Sequence, residues 1–459
     1  MYQVLFDTQI HVHFIGIGGI SMSGLAELLL KKGFSVSGSD AKESALTQKL
    51  EQMGARIFYG QRASNITAGI QLVVYTAAIS EDNPELIAAK EQGLPLMPRA
   101  DLLGQIMKNY GIPIAVSGTH GKTTTTSMIA QILLEADADP TISVGGILKS
   151  IHDNFRVGSS EYFVTEACEY TNSFLSLFPK ISVILNIEED HLDFFKDLED
   201  IRRSFRLFAE RLPEDGLLVI NGEIQQLSDL TGSLHCKVLT YGLDGEYDYT
   251  ARNIRWNELA QATFDVYEYG RKQTTVTLAV PGRHNISNAL ATIAVMRHLD
   301  FPLETILQGL KSFQGTDRRF EYKGEVGGVT VIDDYAHHPT EISATLRAAT
   351  QYPHNRLWVV FQPHTYTRTS AFLHEFAEAL SIADHVVLAD IYAAREKNTL
   401  GISSLDLLRE LEALGQDAHY FPSFDEIENF LLEKCVHGDL LITMGAGDIV
   451  KVGENLIGQ

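Results

Sequence analysis

Along the chain, short apolar runs alternate with longer stretches whose apolar residues fall at helical spacing, and most runs end in glycine, small or charged residues. The runs at residues 11–15, 35–38, 71–79, 112–116, 162–165, 181–185, 329–332, 357–361, 385–389 and 440–444 are short, and most show little polar alternation. That is the pattern of strands covered on both faces. Joined by helical segments, such strands predict βαβ units around parallel sheets, and hence an α/β fold. One segment differs: residues 262–267 and 275–280 flank Tyr269-Gly270-Arg271-Lys272 and predict an antiparallel hairpin.

Two polar breaks divide the alternation, Lys108-Asn109-Tyr110-Gly111 and Gly315-Thr316-Asp317-Arg318-Arg319-Phe320. Three domains are therefore expected, at residues 1–111, 112–315 and 316–459, and a chain of 459 residues is in any case too long for one core. The first and third read as Rossmann-like, with a phosphate-loop domain between them. The chain has no solenoid-scale repeat and no low-complexity segment.

Candidate chemistry sits at the strand ends. The run at 112–116 leads into S-G-T-H-G-K-T-T-T-T at residues 117–126 and then into an apolar helical segment. In such a strand, loop and helix, the backbone N–H groups around Gly118, Thr119, His120 and Gly121 face the positive end of a helix. Lys122 adds a full charge, and Thr123, followed by Thr124, offers a hydroxyl able to ligate magnesium. The longer phosphate-loop pattern would have glycine where Val116 stands, so only G-x-x-G-K-T is present. Such a loop holds a nucleotide triphosphate.

Two more strands of this domain end at Glu166-Ala167-Cys168-Glu169 and at Asn186-Ile187-Glu188-Glu189-Asp190-His191. In a parallel sheet these ends share the edge that carries the loop, so Glu166 and His191 can reach magnesium on bound phosphates. Asn285 and Asn288, three apart on a helix entered through Gly282-Arg283-His284, present two amides on one face, as reading a purine edge requires; helix capping is the competing account of Asn285.

In the first domain, Gly16-Ile17-Gly18-Gly19-Ile20-Ser21 resembles a dinucleotide fingerprint with Ser21 in place of its third glycine. The next strand ends at Ser39-Asp40, where an acidic residue would hold a ribose hydroxyl. This turn does not say which nucleotide is bound. Thr76, Ala77 and Arg99 stand at or beside strand ends lining the same crevice, and the third domain repeats the arrangement at Asp334-Tyr335-Ala336-His337 and at His364 to Arg368.

The formal charge of -22, from 59 acidic against 37 basic residues, disfavours nucleic acid and anionic membrane surfaces as partners. A small anionic substrate needs only a local basic pocket. No stretch approaches the roughly eighteen apolar residues of a membrane span, and residues 1–7 lack a basic region followed by an apolar one. A cytoplasmic location without membrane insertion is expected. Cys168, Cys236 and Cys435 make no metal spacing and read as reduced thiols, Cys168 as a small buried filler.

Taken in order, G-I-G-G-x-S-M-S-G, G-T-H-G-K-T-T-T, E-A-C-E, N-x-x-x-D-H, G-R-H-N, R-R-F, D-D-Y-A-H-H-P-T-E and F-Q-P-H-T-Y-T-R-T resemble the Mur ligase family over nearly the whole chain. The resemblance implies an ATP- and Mg2+-dependent ligase. By it, Gly18, Gly19 and Ser21 hold the diphosphate of a UDP-sugar, with Ser39 and Asp40 near the uridine and Thr76, Ala77 and Arg99 also in contact. Lys122 meets the ATP phosphates, while Thr123, Glu166 and His191 serve magnesium directly or through water. Asn285 and Asn288 hold adenine, His284 lies close, and Arg319 and Asp334 reach the nucleotide from the hinge and third domain.

Tyr335, His337, His364 and Arg368 would form a pocket for the carboxylate of L-alanine. Lys122, His191, His337 and Arg368 are thereby the catalytic set. The third-domain motifs are similar to those of members that join L-alanine to UDP-N-acetylmuramate in peptidoglycan precursor synthesis. A member that attaches a preformed peptide is the near alternative. Thr365 stands where many members have arginine, and Lys196 is the only lysine soon after His191, so no carbamylated lysine is inferred. An NAD-dependent oxidoreductase would leave the phosphate loop, the asparagine pair and the third domain unexplained. A non-catalytic nucleotide-binding regulator would not couple phosphate release to two further substrates.

Overall fold

The computed structural model describes residues 2–76 and 78–459. Its strands form three sheets. The first has the order Arg56–Tyr59, Ser35–Asp40, His11–Ile15, Leu72–Tyr75, Leu96–Pro98, parallel throughout. The strand order reverses beside His11–Ile15, and at such a switch point an open α/β sheet forms its ligand crevice.

The second sheet has ten strands. At its centre Ile112–Ser117 lies between Tyr162–Glu166 and Ile181–Ile184, with Val116 opposite Glu166 and Ser117 opposite Ile184. Leu217–Asn221 and Lys237–Gly242 continue the parallel part. The predicted hairpin is present as Gln261–Glu268 and Arg271–Pro281, with Val266 opposite Thr274. Both residues of its Tyr269-Gly270 turn have positive φ, 47° and 74°, which suits the twist of a tight hairpin. A third antiparallel strand, Tyr249–Trp256, extends it.

The third sheet runs Glu321–Val326, Val329–Asp334, Leu440–Met444, Leu357–Phe361, His385–Leu388, Asp417–Tyr420, and only its first pair is antiparallel. Each sheet buries its apolar strands against helices. The phosphate-loop helix Lys122–Glu135, for example, places Met128, Ile129, Ile132 and Leu133 in one core with Ile114, Val116 and Ile293. Among the described residues no helix is long and apolar enough to cross a membrane.

Candidate active site

Register alone brings three strand ends of the central sheet to one edge. Gly121 opens the phosphate-loop helix at φ 85°, and a Cβ there would stand 2.7 Å from Asn288 Oδ1, so this passage of the loop requires glycine. Lys122 Nζ donates to the carbonyls of Gly118 and Thr119 and, at 2.9 Å, to Glu169 Oε2. Burial by itself would lower the ammonium pKa, but the Glu169 carboxylate outweighs it and holds Lys122 above its ordinary value.

Glu166 Oε1 accepts the Gly145 amide at 2.5 Å. His191 sits at φ 53° and stacks on Tyr170 at 4.5 Å, its Nε2 3.7 Å from Asp190 and 4.0 Å from Glu169. Burial keeps the imidazole below its usual pKa despite both carboxylates. Lys122, Thr123, Glu166 and His191 line a single cavity with Arg319, Tyr335 and His337. Cys168 lines it too and is exposed, which corrects the expectation of a buried filler: it lies beyond the last paired residue of Tyr162–Glu166, where no sheet covers it.

A second cavity lies between the central and third domains, lined by His120, Thr124, His284, Asn285, Asn288, Arg319 and Asp334. Asn288 donates to Asn285 Oδ1 at 3.0 Å, and Asn285 donates to the Pro281 carbonyl at 2.7 Å, so the two amides are braced as one unit. Asn186 clamps the loop by accepting the His120 amide at 2.7 Å and donating to the His120 carbonyl at 3.1 Å. The His120 ring joins two carboxylates, Nδ1 to Glu341 at 3.2 Å and Nε2 to Glu188 at 3.4 Å. Burial lowers its pKa, but the two carboxylates overcompensate and raise it to about 9. Among the described residues His284 makes no such ion pair; burial, reinforced by Arg319 and only partly opposed by Glu341, pushes it down to about 4. Burial raises Asp334 to about 6, against Arg319 and the Ala336 and Phe320 amides that it accepts.

From the third domain comes Arg368, whose Nε and Nη2 both donate to Asp190 Oδ1, at 3.0 and 2.8 Å. Expected at an amino-acid carboxylate, it is thus paired with a carboxylate of the central domain, and Nη1 faces His364 Nδ1 at 3.1 Å. Although burial acts the other way, Arg368 holds the Asp190 carboxyl well below its usual range. His337 Nδ1 contacts the Tyr335 carbonyl at 3.0 Å, and its ring lies 5.8 Å from that of His364. Burial pushes His337 down to about 3 and His364 to about 4, so both are neutral at physiological pH.

In the first domain, the amides of Gly16 and Ile17 bond the Ser39 carbonyl, both at 2.9 Å, and Gly18 N–H bonds Asp40 Oδ2 at 2.8 Å. Ser39 Oγ turns inward to Glu85 at 2.7 Å. Both residues therefore shape the glycine turn directly. Gly19 caps the helix Ile20–Lys31, and Thr76 abuts the turn, its Cγ2 2.9 Å from where a Gly16 Cβ would stand. Ser21 and Arg99 line one cavity with Glu166 and Cys168, linking the turn to the phosphate loop. Ala77 lies outside the described residues.

Parallel sheets, a phosphate loop and a third domain seated over it are the parts of an ATP-dependent ligase, and comparison with known families agrees. The chain matches the models of the Mur ligase family catalytic domain over residues 11–111, the Mur ligase middle domain over 116–296 and the Mur ligase glutamate ligase domain over 318–447. It belongs to the Mur ligase family.

Its relatives include the UDP-N-acetylmuramate–L-alanine ligase of Agathobacter rectalis, 62% identical over 457 residues and covering 100% of both chains. Among solved structures it is similar to the UDP-N-acetylmuramate-alanine ligase of Thermotoga maritima, with TM-score 0.81 and 31% identity over 98% of this chain and 99% of that one. A murein peptide ligase from Psychrobacter arcticus is more distant, with TM-score 0.71 and 26% identity over 98% of each chain.

Sequence reasoning gave no role to Glu169, Asn186, Asp190 or Glu341, each of which holds a residue that it did single out. All four stand inside the motifs quoted, and Glu341 is one helical turn beyond His337. Spacing could have flagged Glu341; the other three contacts depend on tertiary placement.

Proposed function

We propose that the chain joins L-alanine to the lactyl carboxylate of UDP-N-acetylmuramate in the cytoplasm, through an acyl phosphate and with ATP converted to ADP. The observation that carries this reading is convergence. Lys122 and Glu166 share one cavity with His337 of the third domain, and Glu166 shares another with Ser21 and Arg99 of the first.

The residues present fit MgATP. The loop ends in a glycine cradle that a Cβ would fill, and Thr123 and Glu166 are oxygen donors of the kind magnesium takes. Residues Gly118 to Thr124 would hold the phosphates, Asn285 and Asn288 the adenine, and Thr123, Glu166 and His191 the metal, directly or through water. When bound, the nucleotide and metal supply a phosphoryl group that turns a carboxylate, a poor acylating agent, into an acyl phosphate.

The rest falls to the chain. Lys122 exchanges Glu169 for phosphate oxygens and neutralises the charge that develops there. Arg368 exchanges Asp190, whose single oxygen Oδ1 accepts both Nε and Nη2, for the amino-acid carboxylate, which its planar guanidinium can take through two oxygens. His337 donates through Nδ1 to the Tyr335 carbonyl, so its Nε2 is an acceptor for the amine of alanine. The third domain, seated on the central one, excludes water from the reacting carbon.

Phosphate release should require UDP-N-acetylmuramate and L-alanine together. Turnover with a tripeptide in place of alanine, and none with alanine, would overturn the amino-acid assignment.

A further inference from the structure

His364 stands in the connection between the strand Leu357–Phe361 and the helix Tyr366–Ala371, and Arg368 stands in the first turn of that helix. The residue joining them is strained. Thr365 has φ 67° and ψ 147°, a region that glycine reaches freely and a β-branched residue does not. Such a conformation persists only where its surroundings over-determine it.

Its own helix holds it from one side, where the Thr365 carbonyl accepts Thr369 Oγ1 at 2.6 Å and Thr365 Oγ1 accepts the Arg368 amide, and from the other side stands one loop, residues 391–397. Thr365 N donates to the Tyr392 carbonyl at 2.9 Å, and Tyr392 N donates back to the Pro363 carbonyl at 2.8 Å. The Tyr392 ring stacks on His364, with centroids 5.7 Å apart and planes 14° apart. Next, a single carboxylate collects the following backbone: Glu396 Oε2 accepts the amides of Tyr366 at 2.7 Å and Thr367 at 2.9 Å, and the Thr367 hydroxyl donates to Oε1. No other side-chain carboxylate among the described residues bonds those amides.

We propose that Glu396 is a positioning residue for the amino-acid substrate: by gripping residues 366 and 367 it keeps the strained Thr365 turn closed, and so aims His364 and Arg368 at the amino-acid carboxylate. Glu396 touches no reacting atom. It acts through the backbone, and its loss lets Thr365 relax and Arg368 swing away. The inference rests on the amino-acid pocket proposed above.

The test is steady-state kinetics of Glu396→Ala and Glu396→Gln with each of the three substrates varied in turn. In Glu396→Ala the KM for the amine substrate should rise about tenfold or more, as expected when orientation at a binding group is lost, with KM for ATP and the UDP-sugar within about twofold. Glu396→Gln keeps a carbonyl oxygen able to accept both amides and should fall between that variant and the parent. Adding Thr365→Gly to Glu396→Ala should restore part of the lost affinity, because glycine occupies φ 67° without strain.

An amine KM within about twofold of the parent in both single variants, or an equal rise for all three substrates, would overturn the proposal. If Glu396→Ala does not fold, Glu396→Gln and its Thr365→Gly double variant decide by the same criteria. A parent protein that turns over a tripeptide but not L-alanine would refute the substrate assignment alone, and the same kinetics would then be read with the tripeptide.

Discussion

Lys122 is set against Glu169 in a way that makes two separable predictions for one substitution. Their side chains are 16% and 3% exposed and 2.9 Å apart, so Lys122→Ala strands a buried carboxylate. Breaking one side of a buried ion pair costs about 3–5 kcal/mol. At about 2–4 °C per kcal/mol for a domain of this size, melting should drop by on the order of 6–20 °C. Turnover should fall by about two orders of magnitude or more, the scale of losing a contact to developing charge.

The two effects come apart in Lys122→Met/Glu169→Gln, which removes both charges at similar volume. Replacing a whole buried pair by neutral groups is close to neutral for stability. This variant should recover most of the melting temperature and none of the activity, measured as coupled phosphate release at saturating substrates. Equal melting of the single and double variants would refute Glu169 as the source of the stability loss. Near-parental turnover in either would refute the role of Lys122 in catalysis.

Asp190→Asn leaves the Arg368 guanidinium buried without its carboxylate and should loosen the seat of the third domain, read by small-angle scattering as a larger radius of gyration; an unchanged radius would show that other contacts set the closure. Gly121→Ala should abolish ATP binding by calorimetry while leaving the circular dichroism spectrum intact, since the added Cβ would stand 2.7 Å from Asn288 Oδ1 at φ 85°.

His120 predicts a pH dependence. Its pKa is raised from 6.5 to about 9 by Glu341 and Glu188, so the stabilisation is complete below the unfolded value and is lost as pH rises through the folded one. Melting temperature should therefore fall from neutral pH towards about pH 10, with a component absent from His120→Gln. Parallel curves for the two proteins would rule out a charged His120.

The central strands were legible because burial on both faces leaves continuous apolar runs, as in Leu357–Phe361 and Ile181–Ile184. Of the strands absent from the sequence reading, Leu217–Asn221 is itself a buried apolar run that was passed over, whereas several others have another character. Arg56–Tyr59, Glu321–Val326 and Asp417–Tyr420 are half exposed and lie at sheet edges, and Tyr249–Trp256 is exposed over much of its length, so their sequences carry no comparable apolar run. At the site, position along the strand foretold which residues would share an edge, because parallel register alone puts Glu166 beside Val116. It could not foretell partners from another domain, such as Asp190 for Arg368, which lie 178 residues apart.

Those partners bear on how a chain of net charge -22 handles anionic ligands. Three cations of the proposed sites are paired with internal carboxylates: Lys122 with Glu169, Arg368 with Asp190, and His120 with Glu188 and Glu341. An unpaired buried cation would be strongly destabilising, so the carboxylates are a condition for placing these groups in a dry cleft at all. On the function proposed above, ligand binding at Lys122 and Arg368 exchanges one anion for another, and its net gain is the difference between two similar interactions. Selectivity then follows from that difference, because a phosphate or carboxylate must match the geometry of the pair it replaces.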